Sequence, residues 1–377
     1  MKLLWILVLT LSATNVAALA MPKNRRELLQ SLITTAASTS LILTANAGVA
    51  SETTAPMAMT ETTSFDSIRI PLQYVPSLSA YVVRYSVGGE RFVGVADTGS
   101  PFLNVPGYCN RQRWGCYRPE DSRPSGLEPT FERFDNNQGW VEWRKAPFSF
   151  VDAQGSLMGA SLFTFGVLSE SLMDGPGGVF FGLIRDTDAW IRPSFLGQTE
   201  TRSFQIDLAA DQKFLTLCNG DGALLLEDHG TTTTPQDYIP LVRDLTRRFK
   251  DPAYHYTVQA VGLRANGSKV LATSRAPIFA IFDTGVSGMV VTSDIFEDRY
   301  ATARRNREKN LWGQVEIDLC TKSGQIVTLA ATKPLTTPLG ERPWPTFKNA
   351  HLIVIGLAFL DGHKMTVDID QQRLWFE

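Results

Sequence analysis

From Tyr81 to Ala96 apolar and polar positions alternate, with Tyr81, Val83, Tyr85 and Val87 on one side of a Gly88-Gly89 pair and Phe92 and Val93 on the other. A period of two predicts strands, and the glycine pair between the runs predicts a hairpin. The second run leads straight into Asp97-Thr98-Gly99-Ser100. The same grammar returns in the second half: an alternating run over 254–261, a turn at Asn266-Gly267, a run over 269–272, and the apolar segment 277–282 leading into Asp283-Thr284-Gly285. Helical signals are few. One covers about 293–312, where Ser293 is placed to cap the first turn and Arg and Lys crowd the last, and a shorter one covers 188–196. The pattern predicts a mainly β chain with a few short helices.

The repeat extends past the tripeptide. Phe180-Phe181-Gly182 follows the first Asp and Val354-Ile355-Gly356 follows the second at a comparable separation. A lone Asp-Thr-Gly arises by chance in roughly one chain in ten at average residue usage. Two copies, each trailed by two apolar residues and a glycine, point instead to two versions of one lobe. The expected lobes are 68–236 and 237–377, with the boundary near Pro235 to Pro240.

The amino-terminal part reads as address rather than fold. Residues 1–20 carry Lys2, an apolar run over 3–13 and the small residues Ala17, Ala18 and Ala20, the layout of a cleavable signal peptide. Residues 21–50 then place Arg25 and Arg26 before an uncharged stretch that ends in Ala45-Asn46-Ala47, which resembles a twin-arginine export signal. Two export signals in series resemble the arrangement of proteins sent to the thylakoid lumen of plastids acquired by secondary endosymbiosis. The alternative is a single signal peptide followed by a propeptide, giving a secreted or vacuolar protein. Residues 51–67, rich in Ser, Thr, Ala and Glu, read as a linker or pro-segment. No stable membrane span is expected in the mature chain, the first apolar run being too short to cross a bilayer.

Composition narrows the function classes. With 44% hydrophobic and 20% charged residues, the 377-residue chain has the make-up of a folded protein with a large core. Its length favours two lobes or domains over one extended core. Lys plus Arg number 36 against 38 Asp plus Glu, so no excess positive charge draws the chain to nucleic acid or anionic lipid. The clusters 111–118 and 304–309 read as solvated faces. Of the four cysteines only Cys109 and Cys116 are close in sequence; Cys218 and Cys320 are left open as a second bridge or two buried thiols. The four histidines have no zinc-like spacing to them, so neither a metal site nor a cofactor is expected.

The segments FVGVADTGSPFL, FAIFDTGVSGM and the closing LIVIGLAFLDGHKMTVDIDQQRLWFE make residues 72–377 similar to the pepsin-like, two-lobed aspartic proteases. The run YHYTVQAVGLRANGSKV most resembles the plant-type members. The resemblance implies two pseudo-symmetric β-barrel-like lobes, each giving one catalytic Asp, Asp97 and Asp283, to a cleft that takes a peptide or protein substrate. It also implies a monomer with aspartic-type endopeptidase activity and a small disulfide loop between Cys109 and Cys116. The hydroxyls of Thr98 and Thr284 would bond across the lobe interface. A first-lobe hairpin would cover the cleft as a flap, with Gly155-Ser156 its nearest counterpart. The structural alternative for any single Asp-Thr-Gly is a turn at a strand end.

The chemistry asks for these residue types. Hydrolysis without a metal or covalent intermediate needs a base to deprotonate water and an acid to protonate the carbonyl oxygen and the leaving nitrogen. Two carboxyls about 3 Å apart cannot both ionise, so they share a proton and supply both functions. Gly99 and Gly285 let the backbone approach the carboxyls and offer their amides.

Three departures from the family pattern modify the expectation. Ser100 is placed to bond Asp97, whereas Val286 at the equivalent position has no hydroxyl, which predicts activity at less acidic pH than a digestive member. The flap tyrosine is missing, Phe150 or Asp152 standing nearest, and Asn104 replaces a usual tryptophan. Asn266-Gly267-Ser268 is an N-glycosylation sequon, but Asn-Gly between two strands reads as a hairpin turn. The alternative function is a catalytically weak or inactive binding or inhibitor protein on the same fold.

Overall fold

The computed structural model describes residues 67–107, 114–118, 120, 122–134, 137–168, 180–185, 193–226, 237–242, 245, 255–272, 276–339 and 350–377. The chain divides into two units, Met1–Met59 and Thr60–Glu377, and every described residue belongs to the second. Both targeting segments and all of the linker but Ser67 lie outside the described residues.

In chain order the first half contains β1 (Ser67–Val75), β2 (Ala80–Val87), β3 (Glu90–Asp97), β4 (Asn104–Pro106), β5 (Arg123–Pro124), β6 (Thr130–Phe134), β7 (Asn137–Val151), β8 (Leu157–Leu168), β9 (Phe180–Gly182), β10 (Ser203–Asp207) and β11 (Lys213–Cys218). The second half contains β12 (Ile239–Pro240), β13 (Thr257–Ala265), β14 (Ser268–Ala272), β15 (Ile278–Phe282), β16 (Met289–Thr292), α1 (Ser293–Arg305), β17 (Gln314–Cys320), β18 (Ile326–Thr332), β19 (Thr336–Leu339), β20 (His351–Ile355), β21 (Lys364–Asp368) and β22 (Arg373–Phe376).

These strands form two sheets. The fourteen-stranded sheet follows the path β12-β22-β21-β10-β11-β1-β2-β7-β8-β4, with β3, β5, β6 and β9 attached beside it. The eight-stranded sheet follows β18-β17-β13-β15-β20-β16-β19, with β14 on β13. The division at 236/237 is therefore not a division between sheets, because the closing hairpin β21–β22 pairs with β10 in register from Ser203↔Asp368 to Asp207↔Lys364. Local alternation predicts each strand but carries no information on which distant edge it will meet.

The predicted turns are present. Gly88 and Gly89 both have positive φ and close the β2–β3 hairpin between Val87 and Glu90. Asn266 and Gly267 do the same for β13–β14, between Ala265 and Ser268. The helix expected over 293–312 stops at Arg305, with Asn306 as its C-cap and Arg307 in the left-handed region. Ser293 does not cap it; its hydroxyl donates to the Leu339 carbonyl and Thr292 holds the N-cap position. Asp294 in the first turn and Arg304 and Arg305 in the last complement the helix dipole. Of the shorter helix expected over 188–196, residues 188–192 lie outside the described residues, and 196–198 form one 3₁₀ turn.

An aromatic core supports the end of β3. Phe148, Phe150, Phe163, Phe181 and Phe195 pack with ring centroids 4.5 to 6.2 Å apart, and Tyr85 stacks on Phe92 and Phe148. Each buried ring contributes roughly 1.5–3 kcal/mol of hydrophobic stabilisation. Phe181 lies in β9, which runs parallel to β3 and places Gly182 beside Asp97.

Candidate functional site: a carboxyl pair between two matching loops

Each Asp-Thr-Gly leaves the end of a strand that has a parallel neighbour. Asp97 ends β3 opposite Gly182 of β9, and Asp283 follows β15, whose parallel partner β20 ends just before Gly356. The Gly182 amide donates to the Phe102 carbonyl at 2.8 Å, and the Gly356 amide donates to the Gly288 carbonyl at 2.9 Å. Phe102 and Gly288 each lie five residues beyond their Asp, so the two loops are closed by the same bond. A β-carbon on Gly182 would fall 2.4 Å from the Ser100 carbonyl oxygen, and one on Gly356 would fall 2.2 Å from that of Val286. The apolar-apolar-Gly motif thus ends in glycine in both halves because another backbone occupies the side-chain position.

The two loops grip each other through four hydrogen bonds. The Thr98 hydroxyl donates to the Phe282 carbonyl at 2.9 Å and accepts from the Thr284 amide at 3.0 Å. Reciprocally, the Thr284 hydroxyl donates to the Ala96 carbonyl at 2.6 Å and accepts from the Thr98 amide at 3.1 Å. Both threonines are buried. A hydroxyl suits this position because it donates and accepts at once.

The grip brings the carboxyls of Asp97 and Asp283 together, so that a β-carbon built on Gly285 would lie 2.8 Å from Asp97 Oδ1 and 3.1 Å from Asp283 Oδ1. The Gly99 amide donates to Asp97 Oδ1 at 2.8 Å and the Gly285 amide to Asp283 Oδ1 at 2.9 Å. The approach leaves no room for side chains: a β-carbon on Gly99 would lie 2.5 Å from Asp283 Cγ, and one on Gly285 would lie 2.8 Å from Asp97 Oδ1. Asp97 is 5% exposed, whereas Asp283 is half-buried and Gly285 exposed, so solvent reaches the pair from the Asp283 side.

Electrostatics follow from this geometry. Burial, and then the charge of Asp283, push the Asp97 carboxyl well above the ordinary range, against the lowering effect of the Gly99 amide. Burial also raises Asp283, while Asp97 and the Gly285 and Val286 amides hold it back. The pair therefore holds one proton more tightly than an isolated carboxyl would, shared between the two groups. Such an arrangement has one group able to give a proton and one able to take it.

The other expected residues are placed as follows. Ser100 does not bond Asp97; its hydroxyl accepts the Phe102 amide at 3.2 Å, an ST-type turn that shapes the loop. Asn104 is buried, and among the described residues neither atom of its side-chain amide has a hydrogen-bond partner. Gly155 and Ser156 form the turn of the β7–β8 hairpin, where Asp152 Oδ1 accepts the Gln154 and Ser156 amides. Arg91 donates to the Gly155 carbonyl at 3.2 Å. Arg91 lies six residues before Asp97 on extended β3, a separation of about 20 Å, so this turn is at the far end of the strand from the carboxyls. Phe150 belongs to the aromatic core and is buried.

A second first-half hairpin, β6–β7, has its tip outside the described residues and its root packed against the Asp97 loop. Val141 and Trp143 of β7 pack with Phe102 and Phe180, on either side of the loop that carries Asp97. The signal for this hairpin was in the sequence, as Asp135-Asn136 between two runs, but the Gly-Ser at 155–156 was the more conspicuous turn.

Cys116 is disulfide-bonded and Cys218 and Cys320 are free thiols; Cys109 lies outside the described residues. Among the described residues no three His, Cys, Asp or Glu side chains gather as metal ligands would, and no helix is long and apolar enough to cross a membrane. Cavities of about 580 and 670 Å³ lie elsewhere, one beside Tyr74, Arg84 and Asp152 and the other beside Arg69, Asp207 and Lys364. Neither contains a residue of the pair. No family model matches the chain, and no curated protein matches it.

Proposed function

We propose that the chain is an aspartic-type endopeptidase with a pepsin-like, two-lobed fold. The observation that carries this reading is the close pairing of the two carboxyls, held between two copies of one loop that grip each other through Thr98 and Thr284. A pair that binds one proton between two carboxyls is suited to acid–base hydrolysis. The ionised carboxyl takes a proton from water as its oxygen attacks the peptide carbonyl. The protonated carboxyl gives its proton to the carbonyl oxygen, making a tetrahedral diol. Collapse of the diol breaks the C–N bond: one diol hydroxyl gives its proton to the ionised carboxyl as the C=O forms, the nitrogen leaves with the proton of the other carboxyl, and the singly protonated state returns.

Peptide substrate enters from the open Asp283 side, and β6–β7, rooted by Trp143 against Phe102, is the hairpin that borders this entrance. The Gly155-Ser156 turn has no part in it. The second reading, a binding protein on the same fold, draws on the unpartnered buried amide of Asn104 and on the missing flap tyrosine. Cleavage of a random peptide library across acid to neutral pH, with and without pepstatin, separates the two. The protease reading expects pepstatin-sensitive cleavage of extended peptides; a protein that cleaves nothing at any pH supports the binding reading. Under the same proposal the two amino-terminal segments act as export signals in series toward the thylakoid lumen of a plastid, a secreted or vacuolar destination being the alternative.

A further inference from the structure

Tyr256 stands immediately before β13, fully buried, with its ring edge-on to Phe204 of β10. Its hydroxyl donates to the Leu183 carbonyl at 2.5 Å, and the Leu183 amide donates to the Asp97 carbonyl at 2.8 Å. Its own backbone carbonyl accepts from the Phe282 amide at 3.0 Å. Phe282 is the residue before Asp283, and its carbonyl receives the Thr98 hydroxyl. One residue is thus bonded, within two links, to the chain on which each carboxyl is mounted.

We infer that Tyr256 is a positioning residue, whose buried hydroxyl ties the segment behind Asp97 to the strand that delivers Asp283 and so sets the separation of the two carboxyls. The inference deepens the protease reading and rests on it for activity, though not for the titration of the pair. A buried tyrosine that merely satisfies its hydroxyl is available for comparison in the same chain. Tyr85 is equally buried and donates to the Asn104 carbonyl at 3.4 Å, but Asn104 lies seven residues beyond Asp97 and has no bond to it.

Burial holds both phenols far above the ordinary tyrosine range, so both remain donors wherever the protein is folded. The charged or titratable side chains at Tyr256 are Arg185, which opposes that rise, and His255, whose ring centroid lies 5.3 Å away. Without the hydroxyl, the Leu183 carbonyl has lost its donor and the Asp97 loop is free to move away from Asp283. Wider spacing admits water and weakens the repulsion between the carboxyls. Both changes lower the pH at which the pair gives up its shared proton.

The test is a ¹³Cγ-aspartate NMR titration of the full chain as wild type, Y256F and Y85F, together with kcat and KM on a cleaved peptide. Y256F is expected to lower the upper titration step of the pair by about half a unit or more. Its kcat should fall at least about tenfold with KM within about twofold, the pattern of a lost transition-state interaction. Y85F should leave the titration and both constants at wild-type values, and 4-aminophenylalanine in place of Tyr256, which keeps a donor, should restore them. If Y256F lacks the wild-type circular dichroism spectrum, 3,5-difluorotyrosine in place of Tyr256 keeps the packing, strengthens the donor and should raise the same step. A pair that titrates as wild type in the folded variant overturns the inference. A wild type that cleaves no peptide, alongside a shifted titration in Y256F, leaves the positioning role standing and removes the protease reading.

Discussion

Replacing Thr98 with valine tests the grip that holds the carboxyl pair. Valine has nearly the shape of threonine, so packing is preserved while two bonds disappear: the donation to the Phe282 carbonyl at 2.9 Å and the acceptance from the Thr284 amide at 3.0 Å. Thr98 has no exposed surface, so water has no ready route to replace them. Each buried polar group left without a partner costs about 1–3 kcal/mol, giving about 2–6 kcal/mol for the two. Thr284→Val strands the Ala96 carbonyl and the Thr98 amide and should cost a similar amount. Because the four bonds form one reciprocal network, the double variant should cost less than the sum of the singles by about 0.5–3 kcal/mol. Urea denaturation of the four proteins measures this, with Thr98→Ser, which keeps the hydroxyl, close to wild type. A Thr98→Val protein within about 0.5 kcal/mol of wild type, or singles that simply add, would refute the reasoning.

Further expectations follow from the same site. Burial and mutual repulsion raise the folded-state pKa of the pair, so the associated stability is present below the unfolded value and is lost as pH rises through the folded one. Asp97→Asn should therefore be more stable than wild type at neutral pH, by about 1.4 kcal/mol for each unit of elevation, with the gain vanishing in acid; thermal melts across pH that show a loss at neutral pH would contradict this. Since the singly protonated pair persists to higher pH than an ordinary carboxyl allows, the rate profile should extend toward neutrality, and an optimum below about pH 3.5 would count against it. Gly99→Ala puts a β-carbon 2.5 Å from Asp283 Cγ and should lower kcat by about a hundredfold in steady-state assays, wild-type rates showing that the approach is looser than described. Asn266 donates to Glu308 and Asn310 and accepts the Gln314 amide, so the protein made in a glycosylating host should show no endoglycosidase shift attributable to that sequon; a shift abolished by Asn266→Gln would contradict the turn assignment.

How much of this was legible in the sequence depends on the range of the interaction. The β2–β3 and β13–β14 hairpins were readable because alternation and turn chemistry are local, and both turns have the positive φ their residues favour. The two Asp-Thr-Gly loops and their glycine-ended partners were readable because the motif repeats, and the structure shows the repeated bond behind it. What escaped was set at a distance. The pairing of β21 with β10 joins segments more than a hundred residues apart. Ser100 was expected on Asp97 but finds the nearer Phe102 amide. Gly155-Ser156 reads as a flap because the turn is conspicuous, yet where a hairpin tip lies depends on the strand register, and the Arg91 contact fixes that turn at the end of β3 away from Asp97. Helix α1 was read too long because its charged continuation keeps a helical composition past Asn306, where a left-handed residue ends it.

The central claim is that Asp97 and Asp283 work as one acid–base unit on a peptide bond. The most direct measurement is kcat/KM on a single cleaved peptide for wild type, Asp97→Asn, Asp283→Asn and the double variant. Each single substitution should lower it by on the order of 10²–10⁴-fold, and the double should be no worse than the singles, because either change alone disables the unit. A single variant that keeps most of the wild-type rate, or a double whose loss is the product of the two, would contradict the account.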